Sequence, residues 1–214
     1  MNALFGRVGE DAGASAPISP QACFQDYSVR LWAALMDLDL GSIEILTRHL
    51  AECTISRRQV FLAGNGGSAG NAIHLANDFL YGVAKRPGHA LRVNALSANP
   101  SVITCLANDE GYDRIYEIQL AELAEAGDVL IVLSGSGNSP NILRALKQAK
   151  AMGVRSYAIV GFDGGEAKSL ADVAIHAPIN DMQIAEDLQV IIGHMMMQWL
   201  SKAHDAKRSE ASQV

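Results

Sequence analysis

The sequence predicts an α/β fold, a doubly wound and mostly parallel sheet flanked by helices, and three features lead to that expectation. Strand-length and helix-length patterns alternate from about residue 59 onward. The run Asp128–Leu133, "DVLIVL", is apolar over the length of a strand, which suits a strand buried on both faces of a parallel sheet. Two strand–loop–helix units carry glycine- and serine-rich loops, Gly64–Ser68 and Ser134–Ser139, where the strand hands over to the helix.

The elements follow in order. Residues 1–18 are rich in Gly, Ala and Ser and read as a disordered segment. From residue 19 to about 58, Tyr27, Leu31, Leu35 and Leu38, then Ile43, Leu46 and Leu50, recur at helical spacing. Two helices are expected, broken near Leu40-Gly41 with Ser42 as the second cap, and an apolar helix in this place suits oligomerisation as well as packing on its own core. Strands are expected at 59–63, 90–96, 128–133, 155–160 and 173–177, and helices at 69–81, 99–107, 112–122, 140–152 and 182–202. One domain then spans residues 19–204, with a polar tail over 205–214.

Composition narrows the function. A hydrophobic content of 49% allows a sizeable core, and a net charge of −6 with no basic run argues against a nucleic-acid partner. No apolar run reaches the ~18 residues a membrane span needs, and the N-terminus lacks a signal-peptide core. Cys23, Cys53 and Cys105 are odd in number and widely spaced, so buried thiols in a reducing cytoplasm are expected, not a disulfide framework or a thiolate zinc site.

The chemistry is concentrated at the loops. In Ser134-Gly135-Ser136-Gly137-Asn138-Ser139, Ser139 stands at an N-cap position and Pro140 at the first helical turn, where a missing N–H costs nothing. Unpaired N–H groups, glycines that allow close approach and three hydroxyls make an anion site there, with phosphate the usual occupant. Neither a Walker lysine nor a dinucleotide fingerprint is present, so a phosphate on a small molecule is expected. Gly64-Asn65-Gly66-Gly67-Ser68 repeats the logic and adds an amide that can orient a hydroxyl or carbonyl. In the next helix His74 and Asp78 stand four residues apart, on one face. In the last helix Glu186, Asp187 and His194 interrupt an apolar run, and helical angle puts Asp187 closer to the His194 face than Glu186.

Together, "GNGGSAGNAIHLANDF", "LANDEGYDRIY", "GDVLIVLSGSGNS" and "AEDLQVIIGH" resemble the SIS (sugar isomerase) fold and, within it, the phosphoheptose isomerases, over residues from about 20 to 202. That resemblance implies an aldose–ketose isomerase that converts sedoheptulose 7-phosphate to D-glycero-D-manno-heptose 7-phosphate through an enediol, for surface lipopolysaccharide or capsule. It implies Asp78 and His194 as the acid/base pair. Ser68, Ser134, Ser136 and Ser139, with Gly66, Gly67, Gly135 and Asn138, would hold the phosphosugar, and Asn65 and Asp109 would meet sugar hydroxyls. A divalent metal, zinc or another ion that takes nitrogen and oxygen ligands, is implied at His74, Asp78, Glu186 and His194, one per subunit, in a homotetramer with sites at subunit interfaces.

The chain departs from the family pattern at several positions. Asp78 replaces a glutamate, and Glu186 replaces a glutamine that is also implied to meet substrate. Asp187 remains the alternative to Glu186 by helical angle. Val83 stands near a family arginine, with Lys85 and Arg86 as candidates for its role, and Ala98 replaces an aspartate. Competing readings are an isomerase for another phosphosugar, a non-catalytic SIS scaffold on the replication initiator, and an SIS sugar-binding regulator, which usually carries a DNA-binding domain. Metal content together with turnover of sedoheptulose 7-phosphate separates the scaffold reading from the phosphoheptose isomerase.

Overall fold

The computed structural model describes residues 19–85 and 90–211. The segment expected to be disordered, residues 1–18, lies outside them, as does Arg86. The elements are α1 (Pro20–Met36), α2 (Leu40–Ser56), β1 (Gln59–Gly64), α3 (Gly67–Asn77), β2 (Arg92–Ala95), α4 (Pro100–Asp109), α5 (Ile115–Leu123), β3 (Val129–Ser134), α6 (Pro140–Met152), β4 (Arg155–Val160), α7 (Gly165–Leu170), β5 (Val173–His176) and α8 (Met182–Ala211). No helix among the described residues is long and apolar enough to cross a membrane.

All five strands pair in parallel, in the order β2-β1-β3-β4-β5. β3 lies in the middle and all six of its residues are buried, as its unbroken apolar run requires. Alternation along the strands feeds two cores. Val60, Leu62, Val129, Ile131 and Leu133 face α2, α3 and α8 with Leu46, Leu50, Leu75, Leu188 and Ile192. Phe61, Ala63, Leu130 and Val132 face α5 and α6 with Tyr116, Leu120, Ile142 and Leu146. The helix after β1 therefore covers one face and the helix after β3 the other. The gap between these neighbouring strands is the topological switch point, where such sheets bind ligands.

Several boundaries differ from expectation. The first break falls at Asp37–Asp39, because Asp39 accepts from Gly41 N at 2.9 Å and from Ser42 Oγ at 2.6 Å, so Asp39 is the cap and Ser42 supports it. Helix α7 was not expected: its sequence, "GEAKSL", is too short to show a period. A π-helical turn, Asp78–Gly82, continues α3, and α8 runs on to Ala211. Cys53 is buried, and burial pushes its thiol up to about 11, whereas Cys23 and Cys105 are exposed, contrary to expectation.

No residue of helix α1 is fully buried, but Tyr27, Leu31, Ala34 and Leu35 pack half-buried against the core, and polar contacts also tie the helix down. Tyr27 Oη donates to Asp187 Oδ2 at 2.5 Å, and Arg30 pairs with Asp26 at 2.8 Å and with Asp181. Partial burial and then the Asp187 carboxylate push the Tyr27 hydroxyl up to about 12, while the Arg30 guanidinium holds the Asp181 carboxyl below the usual range.

Helix α3 packs closely against α8. A Cβ on Gly193 would run into the side chain of Leu75, so only glycine lets the helices close to this distance. Asn71 Nδ2 spans the same seam, donating to Glu186 O and Gln189 Oε1, both at 3.0 Å. Gly193→Ala is expected to cost about 1–3 kcal/mol in urea unfolding through overpacking. Combined with Leu75→Ala, the double variant should lose less than the sum of the two single changes, because the deleted isobutyl group is the one the new methyl strikes.

Candidate active site

The two loops leave the carboxyl ends of β1 and β3, on either side of the switch point. Asn65, Gly66, Gly67, Ser68, Ser134, Gly135, Ser136 and Ser139 line one cavity of about 270 Å³ between them, with Leu133, Met182 and Glu186. Eight of the residues expected from the sequence thus come together with Glu186. Ser139 occupies the N-cap position of α6 but its side chain caps nothing, which leaves the hydroxyl for the cavity. Ser134 Oγ accepts from Gly137 N at 3.1 Å and Ser136 Oγ from Asn138 N at 3.3 Å, so the loop's own amides set both hydroxyls. No lysine or arginine lines the cavity among the described residues.

Asn65 is less free than the sequence suggests. Its Nδ2 donates to Asn141 Oδ1 and its Oδ1 accepts from Asn141 Nδ2, both at 2.8 Å, and Tyr112 Oη donates to the same Oδ1 at 3.0 Å. This reciprocal amide pair bridges the two loops, with Asn141 fully buried at the start of α6. Tyr116 Oη donates to Gly64 O, and burial pushes that hydroxyl well above the ordinary range, so it stays a donor. Sequence reasoning missed Asn141 because a polar residue in the first helical turn looks like any solvated position.

The second cluster lies along α3 and α8. His74 Nε2 and His194 Nε2 are 2.9 Å apart, one ring nitrogen donating to the other, and the rings meet edge to face at 82°. Asp78 Oδ2 lies 3.5 Å from His74 Nε2 and 3.3 Å from His194 Nε2. Asp78 is mostly covered while both imidazoles remain nearly half exposed, so the cluster opens at the surface. The three donor atoms lie within 4.8 Å of one another. Two imidazole nitrogens and a carboxylate oxygen are a donor set that fits zinc or a related divalent ion.

Glu186 does not join this group. Its carboxylate lies in the loop cavity, against Gly67, where a Cβ would overlap it. Asp187, which helical angle had placed on the His194 face, turns to Tyr27 of α1. The seven residues from Asp187 to His194 advance about 10 Å along α8, so one face meets different neighbours at the two heights. Asn138 is committed elsewhere, accepting from Glu166 N at 3.0 Å at the start of α7. Asp109 sits exposed at the end of α4, bonded to Asn108 and Cys105 of its own helix, and does not line the cavity. Lys85 is exposed with a left-handed backbone and is also outside the lining.

Comparisons with known proteins agree with this geometry. The SIS domain matches residues 23–161. A phosphoheptose isomerase of a Nitratiruptor species is 38% identical over 145 residues, covering 68% of this chain and 77% of that protein. One from Sulfurimonas denitrificans is 38% identical over 165 residues, covering 76% and 83%. The structure of phosphoheptose isomerase GmhA from Neisseria gonorrhoeae superposes with a TM-score of 0.78 at 26% identity, covering 85% of this chain and 97% of that one. The switch-point loops, the histidine–aspartate cluster and these likenesses agree: the chain belongs to the SIS domain family, in its phosphoheptose isomerase group.

Proposed function

We propose that the protein isomerises sedoheptulose 7-phosphate to D-glycero-D-manno-heptose 7-phosphate. The observation that carries this reading is the pairing of a hydroxyl- and amide-lined cavity, which no lysine or arginine lines among the described residues, with a histidine–aspartate cluster between α8 and the helix that the first loop begins. The cavity suits the phosphate end, and the cluster suits the carbonyl end. The alternative of a non-catalytic scaffold leaves three titratable groups, with separations of 2.9, 3.3 and 3.5 Å, without a task.

In the ketose the reacting atoms are C1, C2 and the C2 carbonyl oxygen. A base removes a proton from C1, an acid protonates the carbonyl oxygen, and an enediol forms. The enediol then loses the hydroxyl proton from O1 and takes a proton at C2, which leaves an aldehyde at C1 and needs no outside oxidant. Asp78 and His194, 3.3 Å apart, are the pair that would hold and return these protons. His74, Asp78 and His194 would hold a divalent ion, which when bound supplies Lewis-acid polarisation of the carbonyl. Ser68, Ser134, Ser136 and Ser139 position the phosphate with the loop amides.

The proposal includes assembly of several copies, in the tetramer the resemblance implies. Phe24, Val29, Trp32 and Met36 of α1 are each more than 60% exposed. An apolar groove of about 370 Å³ runs between α2 and α8, lined by Leu40, Ile43, Met195, Met196 and Trp199 among others. These exposed apolar side chains suit a contact between copies.

An assay across heptose, hexose and pentose phosphates should find turnover concentrated on the heptose, and turnover confined to another sugar would refute the substrate assignment. His194→Ala should lower kcat by at least about 100-fold with phosphosugar binding retained, while Ser136→Ala should raise KM about five- to tenfold with a smaller change in kcat. Metal analysis should find one ion per chain, lost in His74→Ala. Trp32→Glu should shift the sedimentation profile to smaller species.

A further inference from the structure

The loop cavity holds a carboxylate where an anion is expected to bind. Glu186 lines it, and its carboxyl group lies flat against Gly67, the first residue of α3, in the space a side chain there would fill. Gly66, which precedes it, offers no side-chain cap to the helix, so the partial positive charge of that helix end faces the carboxylate. Asn71 Nδ2 holds Glu186 O at 3.0 Å, which fixes the height of this residue along α3. No lysine or arginine lines the cavity among the described residues, so no fixed cation offsets the charge. A free phosphate ion entering between Ser68 and Ser136 meets a like charge, and it brings few donors to satisfy that carboxylate.

We propose that Glu186 is a selectivity residue: its carboxylate disfavours inorganic phosphate and admits a phosphate ester whose polyol chain donates hydroxyl hydrogen bonds to it. The proposal rests on the reading of this cavity as the phosphosugar site. A repulsive element that the correct ligand alone can satisfy is how a site rejects an abundant fragment of its own substrate. The cavity, about 270 Å³, has room for a phosphate and the first carbons of a chain beside the carboxylate. A neutral amide of the same shape keeps the hydrogen bonding and removes the repulsion.

The test measures calorimetric affinities for inorganic phosphate and for sedoheptulose 7-phosphate, in the His194→Ala background so that the ester is not turned over. In that background Glu186→Gln is expected to tighten inorganic phosphate about tenfold, while affinity for the ester does not rise in parallel. The preference for ester over phosphate should then fall at least tenfold. Glu186→Ala should also tighten inorganic phosphate, and it guards against a local effect of the new amide. Inorganic phosphate affinity unchanged or weaker in both variants overturns the proposal, and so does an equal gain for both ligands. Failure of the cavity reading itself has a different signature, namely that Ser136→Ala leaves both affinities unchanged in both backgrounds.

Discussion

The contact between α3 and α8 is the constraint on which the site depends. It exists because position 193 has no side chain and Leu75 fills the space. One residue beyond Gly193, His194 meets His74, and Asp78, at the start of the π-helical turn that continues α3, completes the group. At the other end of the seam, Asn71 holds the α8 backbone at Glu186 and so sets the carboxylate against Gly67. The histidine–aspartate cluster and the loop cavity are thus registered by one pair of helices, and a shift of that pair would disturb both. Positioning of this kind matters because an error of about 1 Å at the reacting atoms costs orders of magnitude in rate.

The sheet supplies the other half of the geometry. β1 and β3 are neighbours, yet the helices that follow them cover opposite faces, so their loops part and leave a crevice. Loops that diverge in this way need something to fix their separation. The Asn65–Asn141 amide pair does so with two hydrogen bonds, and the hydroxyls of Tyr112 and Tyr116 secure the first loop from below. The pair holds one separation, because any other would leave the buried Asn141 amide unpaired away from water.

Much of this was legible in the residues, and the exceptions have physical causes. The run at 128–133 declared a central strand, and Ser139-Pro140 declared a helix start, because both are local effects of burial and backbone chemistry. The cap at Asp39 was misplaced by three residues, since two oxygen-bearing side chains compete there and only coordinates show which accepts. The cluster of His74, Asp78 and His194 was anticipated through spacing and resemblance together. Glu186 and Asp187 were harder. Helical angle orders side chains around an axis but says nothing of which neighbour waits at each height. Asp187 found Tyr27, and Glu186 found the glycine loop. Asn141 and Gly193 gave no signal, because their roles exist only across a contact between distant segments.

Among the described residues no lysine or arginine lines the cavity, and for the proposed phosphosugar this has a kinetic side. Dipoles and hydroxyls hold an anion firmly at contact but project little field beyond it. At a distance, an approaching phosphate ester senses the whole chain, whose formal charge is −6. That field opposes the encounter and extends over a Debye length of about 8 Å at physiological ionic strength. Dissolved salt therefore shields the ester from the protein during approach and hardly touches the bonds that retain it. Many anion-handling proteins gather their ligand electrostatically and lose it as salt rises. For the phosphosugar proposed here, capture would be left to diffusion, and added salt would favour it.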